Sequence, residues 1–293
     1  MMDIKRLVVF GDSLLDTGNV IKTLGVPGKP YHDGRFSNGL VSTEVLANLI
    51  AKDQGVEFVD HKNYAIGGAF THGSNPTSLL KNHAFPVSEQ LTRYENEEGR
   101  FKEDDLVVIN GGANNFMFTI YTEIPYINVT AKLRVARDLR KITRKAIKMG
   151  AKNIIVWNIP DVTRAPAYKD YLTNWVGKFF RSYLQVNINL QNGLLRNRIA
   201  DLQIIFPNVN IKLFDFYTLL NDCGDNPDKY GLENTTDVCV DSYGGADSLG
   251  NIQYDIEIIA DPEKYLCWDY CHPTAKANRI VADGMFKLWK HNL

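Results

Sequence analysis

Residues 6–19 read RLVVFGDSLLDTGN: a short apolar run, a glycine, and then an aspartate and a serine. The large and β-branched residues predict a buried strand that ends at Phe10, after which Gly11 turns the chain. Ser13 then lies at the carboxyl edge of the sheet, where open α/β folds bind their ligands. A serine in this position can attack a carbonyl carbon if a base removes its proton. The alternative is that Asp12 or Ser13 only caps a helix.

The rest of the chain alternates short apolar runs with longer helical patterns. The apolar runs are nearly continuous, which predicts strands of a sheet covered on both faces. Alternating strands and helices favour right-handed crossovers, and hence a single α/β domain over residues 1–293, built as a three-layer α/β/α sandwich. The predicted strands are Ile4–Phe10, Val56–Val59, Leu106–Asn110, Asn153–Ile159 and Val209–Phe214, and the predicted helices are Asn38–Ala51, Thr130–Met149, Tyr168–Leu202 and Thr274–Trp289.

Residues 221–250 depart from this alternation. The segment is rich in Asp, Asn and Gly, has little periodicity and holds two of the four cysteines. Long irregular loops in compact domains tend to be functional or mobile. We therefore expect a surface excursion here.

A second chemical signal lies near the carboxyl terminus, where residues 268–274 read WDYCHPT. Asp269 and His272 are three residues apart, so one turn brings their side chains to the same side. The carboxylate can then accept a hydrogen bond from the imidazole Nδ1–H and leave Nε2 available as a base. None of the other histidines has an aspartate in such a position. The alternative is a histidine that merely precedes a helix.

Two glycine-containing stretches follow the second and third predicted strands and can supply hydrogen-bond donors. They read NYAIGGA at residues 63–69 and GGANN at residues 111–115. Glycine lets a backbone N–H approach a substrate closely, and an asparagine side chain offers an amide N–H. Together with the Ser13 N–H, such donors can stabilise a tetrahedral oxyanion. Ordinary strand-to-helix turns are the alternative for each stretch.

The four stretches, at residues 6–19, 63–69, 111–115 and 268–274, resemble in their chain order the motifs of the GDSL, or SGNH, hydrolase family. Residues 34–39, GRFSNG, are similar to another block of its lipase branch, and the resemblance runs from Leu7 to His272. It implies a flavodoxin-like fold with a five-stranded parallel sheet. It implies neither a metal nor an organic cofactor.

The resemblance also implies a role for individual residues. Ser13 would be the nucleophile, His272 the base, and Asp269 the group that orients His272. The oxyanion hole would consist of the Ser13 N–H, the Gly68 N–H and the Asn114 side chain. Gly68 is preferred over Gly67 because its spacing from Asn63 fits the motif of the family. Asn115 stands where many members of the family have an aspartate, so a role in the oxyanion hole is assigned to Asn114 only.

Within the family, residues 9–19 and the cysteine-bearing carboxyl region resemble exported bacterial phospholipases A, lysophospholipases A and glycerophospholipid–cholesterol acyltransferases. This implies a serine esterase or lipase that hydrolyses lipid acyl esters at a membrane or micelle surface, with acyl transfer to an alcohol as a further option. Phe116, Met117 and Phe118 favour a groove for an acyl chain, and fit core packing equally well. The alternatives are an esterase of acetylated sugars and a non-catalytic binding module, and the intact Ser-Asp-His set argues against the module.

Composition excludes other classes of protein. The chain has 33 basic and 34 acidic residues and a net charge of -1, so it lacks the basic surplus of a nucleic-acid-binding protein. No apolar run approaches the roughly 18 residues that a transmembrane helix needs. Hydrophobic residues at 44% and charged residues at 23% are typical of a globular chain.

The cysteines are Cys223, Cys239, Cys267 and Cys271. A zinc site is disfavoured because no spacing is C-x-x-C, and two disulfides in an exported protein are the preferred interpretation, with reduced thiols as the alternative. We expect at least one disulfide between residues 221–250 and the Asp269–His272 segment, since such a bridge would fix the excursion against the site. The protein is accordingly expected to be secreted by a bacterium, with its leader absent from this chain.

Overall fold

A five-stranded parallel sheet with the strand order β2-β1-β3-β4-β5 forms the centre of the computed structural model. The structure describes residues 3–75, 83–117, 133–169, 175–247 and 250–291. The order is that of flavodoxin-like folds, so the predicted fold is confirmed. The strands are β1 (Arg6–Phe10), β2 (Asp60–Asn63), β3 (Asp105–Ile109), β4 (Asn153–Trp157) and β5 (Asn210–Phe214).

Helices cover both faces of this sheet. The helices are α1 (Ile21–Leu24), α2 (Ser42–Gln54), α3 (Val87–Glu98), α4 (Ala113–Met117), α5 (Val135–Lys148), α6 (Trp175–Ile205), α7 (Phe216–Asp225) and α8 (Ala275–Lys290). Helices α3, α5 and α6 pack on one face, and α2 and α8 pack on the other. Residues 130–132 and 170–174, which belong to two of the predicted helices, lie outside the described residues.

Strand β1 shows why the apolar runs could be recognised. Val8 and Phe10 contact the core on the α3 side, and Leu7 and Val9 contact the core on the α2 side. All four side chains are fully buried. Because both faces of the strand are covered, every position is apolar and the run has no alternation.

The prediction for the second strand is wrong in its position. The predicted strand was Val56–Val59, whereas β2 covers Asp60–Asn63. Val56 and Phe58 are instead 47% and 71% exposed. Strand β2 lies at the edge of the sheet and has the sequence DHKN, and such edge strands carry polar residues that an apolar pattern does not reveal.

Residues 221–250 are more regular than expected. Helix α7 extends to Asp225, a 3-10 turn covers Pro227–Tyr230, and strand β6 (Asn234–Val238) pairs in parallel with β7 (Tyr265–Cys267). Residues 248 and 249 lie outside the described residues. The segment thus forms a small second sheet with the stretch that precedes His272.

The predicted disulfide is absent, since Cys223 and Cys239, the two cysteines of residues 221–250, are both free thiols. Backbone hydrogen bonds join the two segments instead. The N–H groups of Cys239 and Val240 both donate to the Trp268 carbonyl at 2.9 Å, and the Tyr270 N–H donates to the Ser242 carbonyl at 3.1 Å. Strand pairing therefore holds the segment beside the candidate site without a covalent bond. No helix in the described ranges is both long and apolar enough to cross a membrane.

Candidate active site

Ser13 lies in a tight turn directly after β1 and not at the start of a helix. The N–H groups of Leu15 and Asp16 both donate to the Asp12 carbonyl, at 3.0 and 3.1 Å. The Asp12 side chain accepts from the Leu14 N–H at 3.1 Å and so caps this turn. Capping thus falls to Asp12, while the hydroxyl of Ser13 remains available for other contacts.

The structure brings Ser13, His272 and Asp269 together, although Ser13 and His272 are 259 residues apart in the sequence. The Ser13 Oγ lies 2.9 Å from His272 Nε2. His272 Nδ1 lies 2.8 Å from Asp269 Oδ2 and 2.9 Å from Oδ1. The hydroxyl, imidazole and carboxylate form one continuous chain of hydrogen bonds, which is the geometry of a nucleophile, a base and its orienting acid.

Asp269 is completely buried, and its carboxylate is surrounded by donors. Oδ2 accepts from the Tyr31 hydroxyl at 2.7 Å and from the Gly244 N–H at 3.0 Å. Oδ1 accepts from the N–H groups of Cys271 and His272, both at 2.8 Å. A buried charge is tolerated when hydrogen bonds of this kind replace water, so these donors stabilise the ionised carboxylate in one orientation.

Residues 34–39, singled out by sequence, form a wall of the site. The Phe36 ring packs against the His272 ring with a centroid distance of 4.8 Å. The Ser37 hydroxyl donates to the Pro273 carbonyl at 3.0 Å. The block therefore fixes both the imidazole and the backbone that follows it.

Gly68 and Asn114 both line the same cleft as Ser13. The Gly67 N–H already donates to the Asp16 carboxylate at 2.8 Å, and this bond holds the glycine loop against the turn after β1. Asn114 Nδ2 donates one hydrogen to the Ala69 carbonyl at 3.2 Å. An amide nitrogen carries two hydrogens, so the second remains for a ligand.

Gln90, which belongs to none of the sequence motifs, holds the backbone next to the serine. The Gly11 N–H donates to Gln90 Oε1 at 2.9 Å, and Gln90 Nε2 donates to the Gly11 carbonyl at 2.8 Å. Gln90 lies on the buried face of α3 with Val87, Leu91 and Tyr94. The sequence contains one sign of this role, because Gln90 is a polar residue on an otherwise apolar helix face.

Tyr31 also belongs to the site, although no sequence pattern marks it. Its role is visible only in the folded structure, where its hydroxyl donates to Asp269, 238 residues away in the sequence. Burial, followed by the charge of Asp269, raises the pKa of Tyr31. The phenol therefore stays protonated and acts as a donor.

Asp12 is a second buried carboxyl group close to Ser13. Burial raises its pKa from 3.8 to about 6, while the Leu14 N–H and the charge of His272 act in the opposite direction. Its Oδ2 has no hydrogen-bond partner within the described part of the chain.

A cleft of about 750 Å³ opens over Ser13 and His272. Phe116 belongs to the core and is fully buried, Met117 lines the cleft, and Phe118 lies outside the described residues. Much of the lining is apolar, and three basic side chains also line the cleft. Apolar lining residues include Leu14, Val20, Leu24, Val26, Phe36, Ala113, Met117, Val162 and Ala165, and the basic ones are Arg164, Lys169 and Arg181.

Solved structures with the same fold include acetylxylan esterases. A catalytic mutant of Axe2, an acetylxylan esterase from Geobacillus stearothermophilus, matches with a TM-score of 0.52 and 13% sequence identity, over 98% of this chain and 94% of that chain. A second mutant of the same enzyme matches with a TM-score of 0.52 and 14% identity, over 98% and 95%. At such identities the likeness shows the fold alone.

Proteins that are similar in sequence include a hemolysin, an acyltransferase and a plant esterase/lipase. The chain is 29% identical over 290 residues to the thermolabile hemolysin of Vibrio parahaemolyticus serotype O3:K6, and the match covers 97% of this chain and 63% of the hemolysin. It is 28% identical over 251 residues to the phosphatidylcholine-sterol acyltransferase of Aeromonas hydrophila, over 82% and 66%. It is 26% identical over 324 residues to a GDSL esterase/lipase of Arabidopsis thaliana, over 97% and 90%.

The chain thus spans slightly less than two thirds of the length of the hemolysin and of the acyltransferase. The sequence profile of GDSL-like lipases and acylhydrolases matches residues 7–285, which is nearly the whole chain. The chain belongs to the GDSL-like lipase/acylhydrolase family of ester hydrolases.

Proposed function

We propose that the protein is a serine hydrolase of lipid acyl esters, with phospholipids or lysophospholipids as substrates. The observation that carries the proposal is the chain of hydrogen bonds from Ser13 Oγ through His272 to Asp269, located at a largely apolar cleft. In this proposal Ser13 is the nucleophile, His272 the general base and Asp269 the orienting acid.

The first half of the reaction forms an acyl-enzyme. Ser13 Oγ attacks the carbonyl carbon of the ester, and its proton passes to His272 Nε2 across the 2.9 Å hydrogen bond. His272 keeps its other proton on Nδ1, and this N–H donates a hydrogen bond to Asp269, whose carboxylate stabilises the imidazolium. The new bond to oxygen turns the carbonyl into a tetrahedral oxyanion.

Three donors are proposed to stabilise this oxyanion: the Ser13 N–H, the Gly68 N–H and Asn114 Nδ2. They act on a charge that is present only in the transition state and the intermediate, so they raise the rate without tightening substrate binding.

Collapse of the intermediate breaks the ester bond. His272 Nε2 returns its proton to the leaving oxygen, and the alcohol portion departs as a neutral product. A water molecule then gives a proton to Nε2 and attacks the acyl-enzyme, which releases a fatty acid and restores the Ser13 hydroxyl. If a lipid alcohol takes the place of water, the same steps transfer the acyl group, as the name of the Aeromonas relative describes for that enzyme.

The lining of the cleft supports a lipid substrate over an acetylated sugar. Burying the methylene groups of an acyl chain against apolar side chains is favourable, at about 0.8 kcal/mol for each methylene. An acetyl group offers only one methyl for such contacts. Rates should therefore rise with acyl length until the cleft is filled.

Covalent labelling tests the catalytic assignment. A fluorophosphonate should label the protein, and Ser13→Ala should abolish the label and reduce ester hydrolysis by several orders of magnitude. Ser88→Ala is the matched control, because the Ser88 hydroxyl also lies near a histidine, 3.3 Å from His72 Nδ1. Normal labelling of the Ser13→Ala protein would place the nucleophile elsewhere.

A substrate series tests the lipid assignment. We expect lysophospholipids and long-chain p-nitrophenyl esters to be hydrolysed faster than acetylxylan and p-nitrophenyl acetate. The reverse order would support the acetyl esterase instead. We also propose that the protein acts outside the cell, and this is tested by assaying the medium and the cell fraction of its source.

A further inference from the structure

Helix α6 is much longer than the other elements that cover the sheet. It has 31 residues, Trp175–Ile205, which correspond to about 46 Å at 1.5 Å per residue. The strands it accompanies have five residues each, or about 17 Å. Part of α6 must therefore extend beyond the sheet.

Two contacts show which end of α6 extends. Gln203 accepts from the Ile211 N–H at 3.1 Å, which ties the carboxyl end of the helix to the start of β5. Gln185 Nε2 donates to Asp161 Oδ2 at 2.8 Å, just past the end of β4. Residues 175–184, which span about 15 Å of helix, therefore lie past the carboxyl edge of the sheet, which is the edge that holds the cleft. We call them the projecting segment.

A row of large apolar side chains is exposed along α6. Trp175, Phe179, Val186 and Leu190 are 81%, 73%, 66% and 51% exposed. Their spacing places them on one side of the helix, with Trp175 and Phe179 in the projecting segment. We call these four residues the apolar stripe.

The opposite side of α6 packs against the body of the protein. Leu184, Ile188 and Leu195 are completely buried there. The apolar stripe is therefore not part of the core, and the described residues leave it in contact with solvent. Contiguous exposed apolar surface on a globular chain marks an interaction site.

The charge along the part of α6 that carries the apolar stripe has a single sign. Residues 175–200 contain four basic residues and no aspartate or glutamate, although the whole chain has a net charge of -1. The basic residues are Lys178, Arg181, Arg196 and Arg198. Arg181 also lines the cleft. The surface beside the cleft is thus apolar and basic at once.

We propose that the apolar stripe is the surface by which the protein binds an anionic phospholipid bilayer or micelle. The inference rests on the proposed function and names the partner on which the cleft acts. Trp175 and Phe179 insert among the acyl chains near the headgroups, and Lys178 and Arg181, which are exposed beside them, contact lipid phosphates. An amphipathic helix with aromatic and basic residues has this affinity for an interface.

The position of the projecting segment gives this contact a consequence for catalysis. The helix lies beside the cleft, so binding brings the cleft to the lipid surface and shortens the path of an ester from the bilayer to Ser13. Substrate dissolved as monomers gains nothing from such a contact. The apolar stripe should therefore matter for aggregated lipids and not for short monomeric esters.

Tryptophan fluorescence offers a direct probe. Trp157, Trp268 and Trp289 are 2%, 0% and 4% exposed, while Trp175 is 81% exposed. Adding vesicles of phosphatidylcholine that contain phosphatidylglycerol should shift the emission to shorter wavelength, and Trp175→Phe should remove the shift. A shift of the same size in Trp175→Phe would overturn the assignment.

Vesicle sedimentation tests the apolar stripe itself. The double variant Trp175→Ser/Phe179→Ser should bind these vesicles about 100-fold more weakly, or about tenfold for each aromatic side chain lost. Ile204→Ser is the matched control, because Ile204 is 79% exposed at the other end of the same helix. Equal binding by the double variant and the native chain would overturn the proposal.

Two further outcomes would also contradict the proposal that the apolar stripe binds anionic lipid. Equal binding to vesicles of pure phosphatidylcholine would remove the anionic part of the proposal. A native chain that ignores vesicles but forms a dimer by ultracentrifugation, which the double variant does not form, would assign the apolar stripe to a second copy.

The proposed function is tested separately by hydrolysis of p-nitrophenyl butyrate, which needs no interface. We expect the double variant to hydrolyse it as fast as the native chain and to lose activity on phospholipid vesicles. If the native chain hydrolyses no ester, the proposed function fails, while vesicle binding remains a measurement of its own.

Discussion

The hydroxyl of Tyr31 donates a 2.7 Å hydrogen bond to Oδ2 of Asp269, the oxygen that also accepts from His272 Nδ1. The Gly244 N–H reaches the same oxygen at 3.0 Å. Three donors on one oxygen fix the plane of the carboxylate, and the imidazole follows that plane. We infer that Tyr31 is a positioning residue, since it acts on Ser13 only through Asp269 and His272.

Tyr31→Phe should lower kcat by about tenfold and leave KM nearly unchanged, because a hydrogen bond to a charged group contributes about 1.5–3 kcal/mol. Kinetics on a monomeric p-nitrophenyl ester measure the split between kcat and KM. Tyr230→Phe is the control, since the Tyr230 hydroxyl bonds to Asp222 away from the site. An unchanged kcat in Tyr31→Phe would contradict the role.

Gln90→Leu should reduce both stability and kcat. The substitution removes two hydrogen bonds from the buried backbone of Gly11, with a cost of about 2–3 kcal/mol in the free energy of unfolding. It also frees the turn that carries Ser13. Urea denaturation and steady-state kinetics measure the two effects.

The chain offers a matched control for Gln90 at the other end of β1. Gln54 makes the same pair of bonds to Ile4, which donates its N–H to Oε1 at 2.7 Å and accepts from Nε2 at 2.9 Å. Gln54→Leu should therefore lower stability and spare kcat. Equal losses of kcat in both variants would mean that Gln90 acts only through stability.

Much of the fold followed from local pattern. Strands buried on both faces, such as β1 and β3, have continuous apolar runs that are visible in the sequence. The pairing of Ser13 with Asp269 and His272 followed because each motif has its own local chemistry and the carboxyl edge of a parallel sheet collects such motifs.

The features that were missed depend on contacts between distant segments. Strand β2 has polar residues because it lies at an edge, and β6 exists only because it pairs with β7. Tyr31 is one of 14 tyrosines, and only the folded chain places it against Asp269. Spacing of cysteines likewise cannot reveal whether strand pairing makes a disulfide unnecessary.

Asn114→Ala should lower kcat by roughly 10²- to 10³-fold with little change in KM, the usual loss for one oxyanion donor. Asn115→Ala is the matched control, because Asn115 is buried and its Oδ1 accepts from the Thr71 N–H at 3.2 Å. We expect that control to lower stability and to retain most of kcat. Circular dichroism confirms folding, and the reverse pattern would transfer the role to Asn115.

Cys223, Cys239 and Cys267 should react slowly with thiol reagents in the native protein, in which all three are buried. Burial raises the pKa of Cys223, Cys239 and Cys267 to about 12, so almost no thiolate is present near neutral pH. Denaturation should expose four reactive thiols without any reductant, as counted by mass after alkylation. A protein purified from its source that yields fewer than four would contain the disulfide that the structure lacks.

Asp12 links stability to pH. Burial raises the pKa of Asp12 from its usual 3.8 to about 6 in the folded chain. Between these two pH values the folded chain holds a proton that the unfolded chain has lost. The contribution of Asp12 to the free energy of unfolding is therefore largest below about pH 4. It falls as the pH rises through about 6, by on the order of 3 kcal/mol in total.

Asp12→Asn cannot titrate, so its stability relative to the native chain should increase by about that amount between pH 4 and pH 8. Urea denaturation across this range measures the difference at each pH. Asp33→Asn is the control, because the Asp33 side chain is 81% exposed and makes no comparable contribution through burial. The charge of His272 opposes the shift at Asp12, so His272→Gln should move the midpoint of the Asp12 effect to higher pH. A difference between Asp12→Asn and the native chain that stays constant with pH would show that Asp12 keeps an ordinary pKa in the fold.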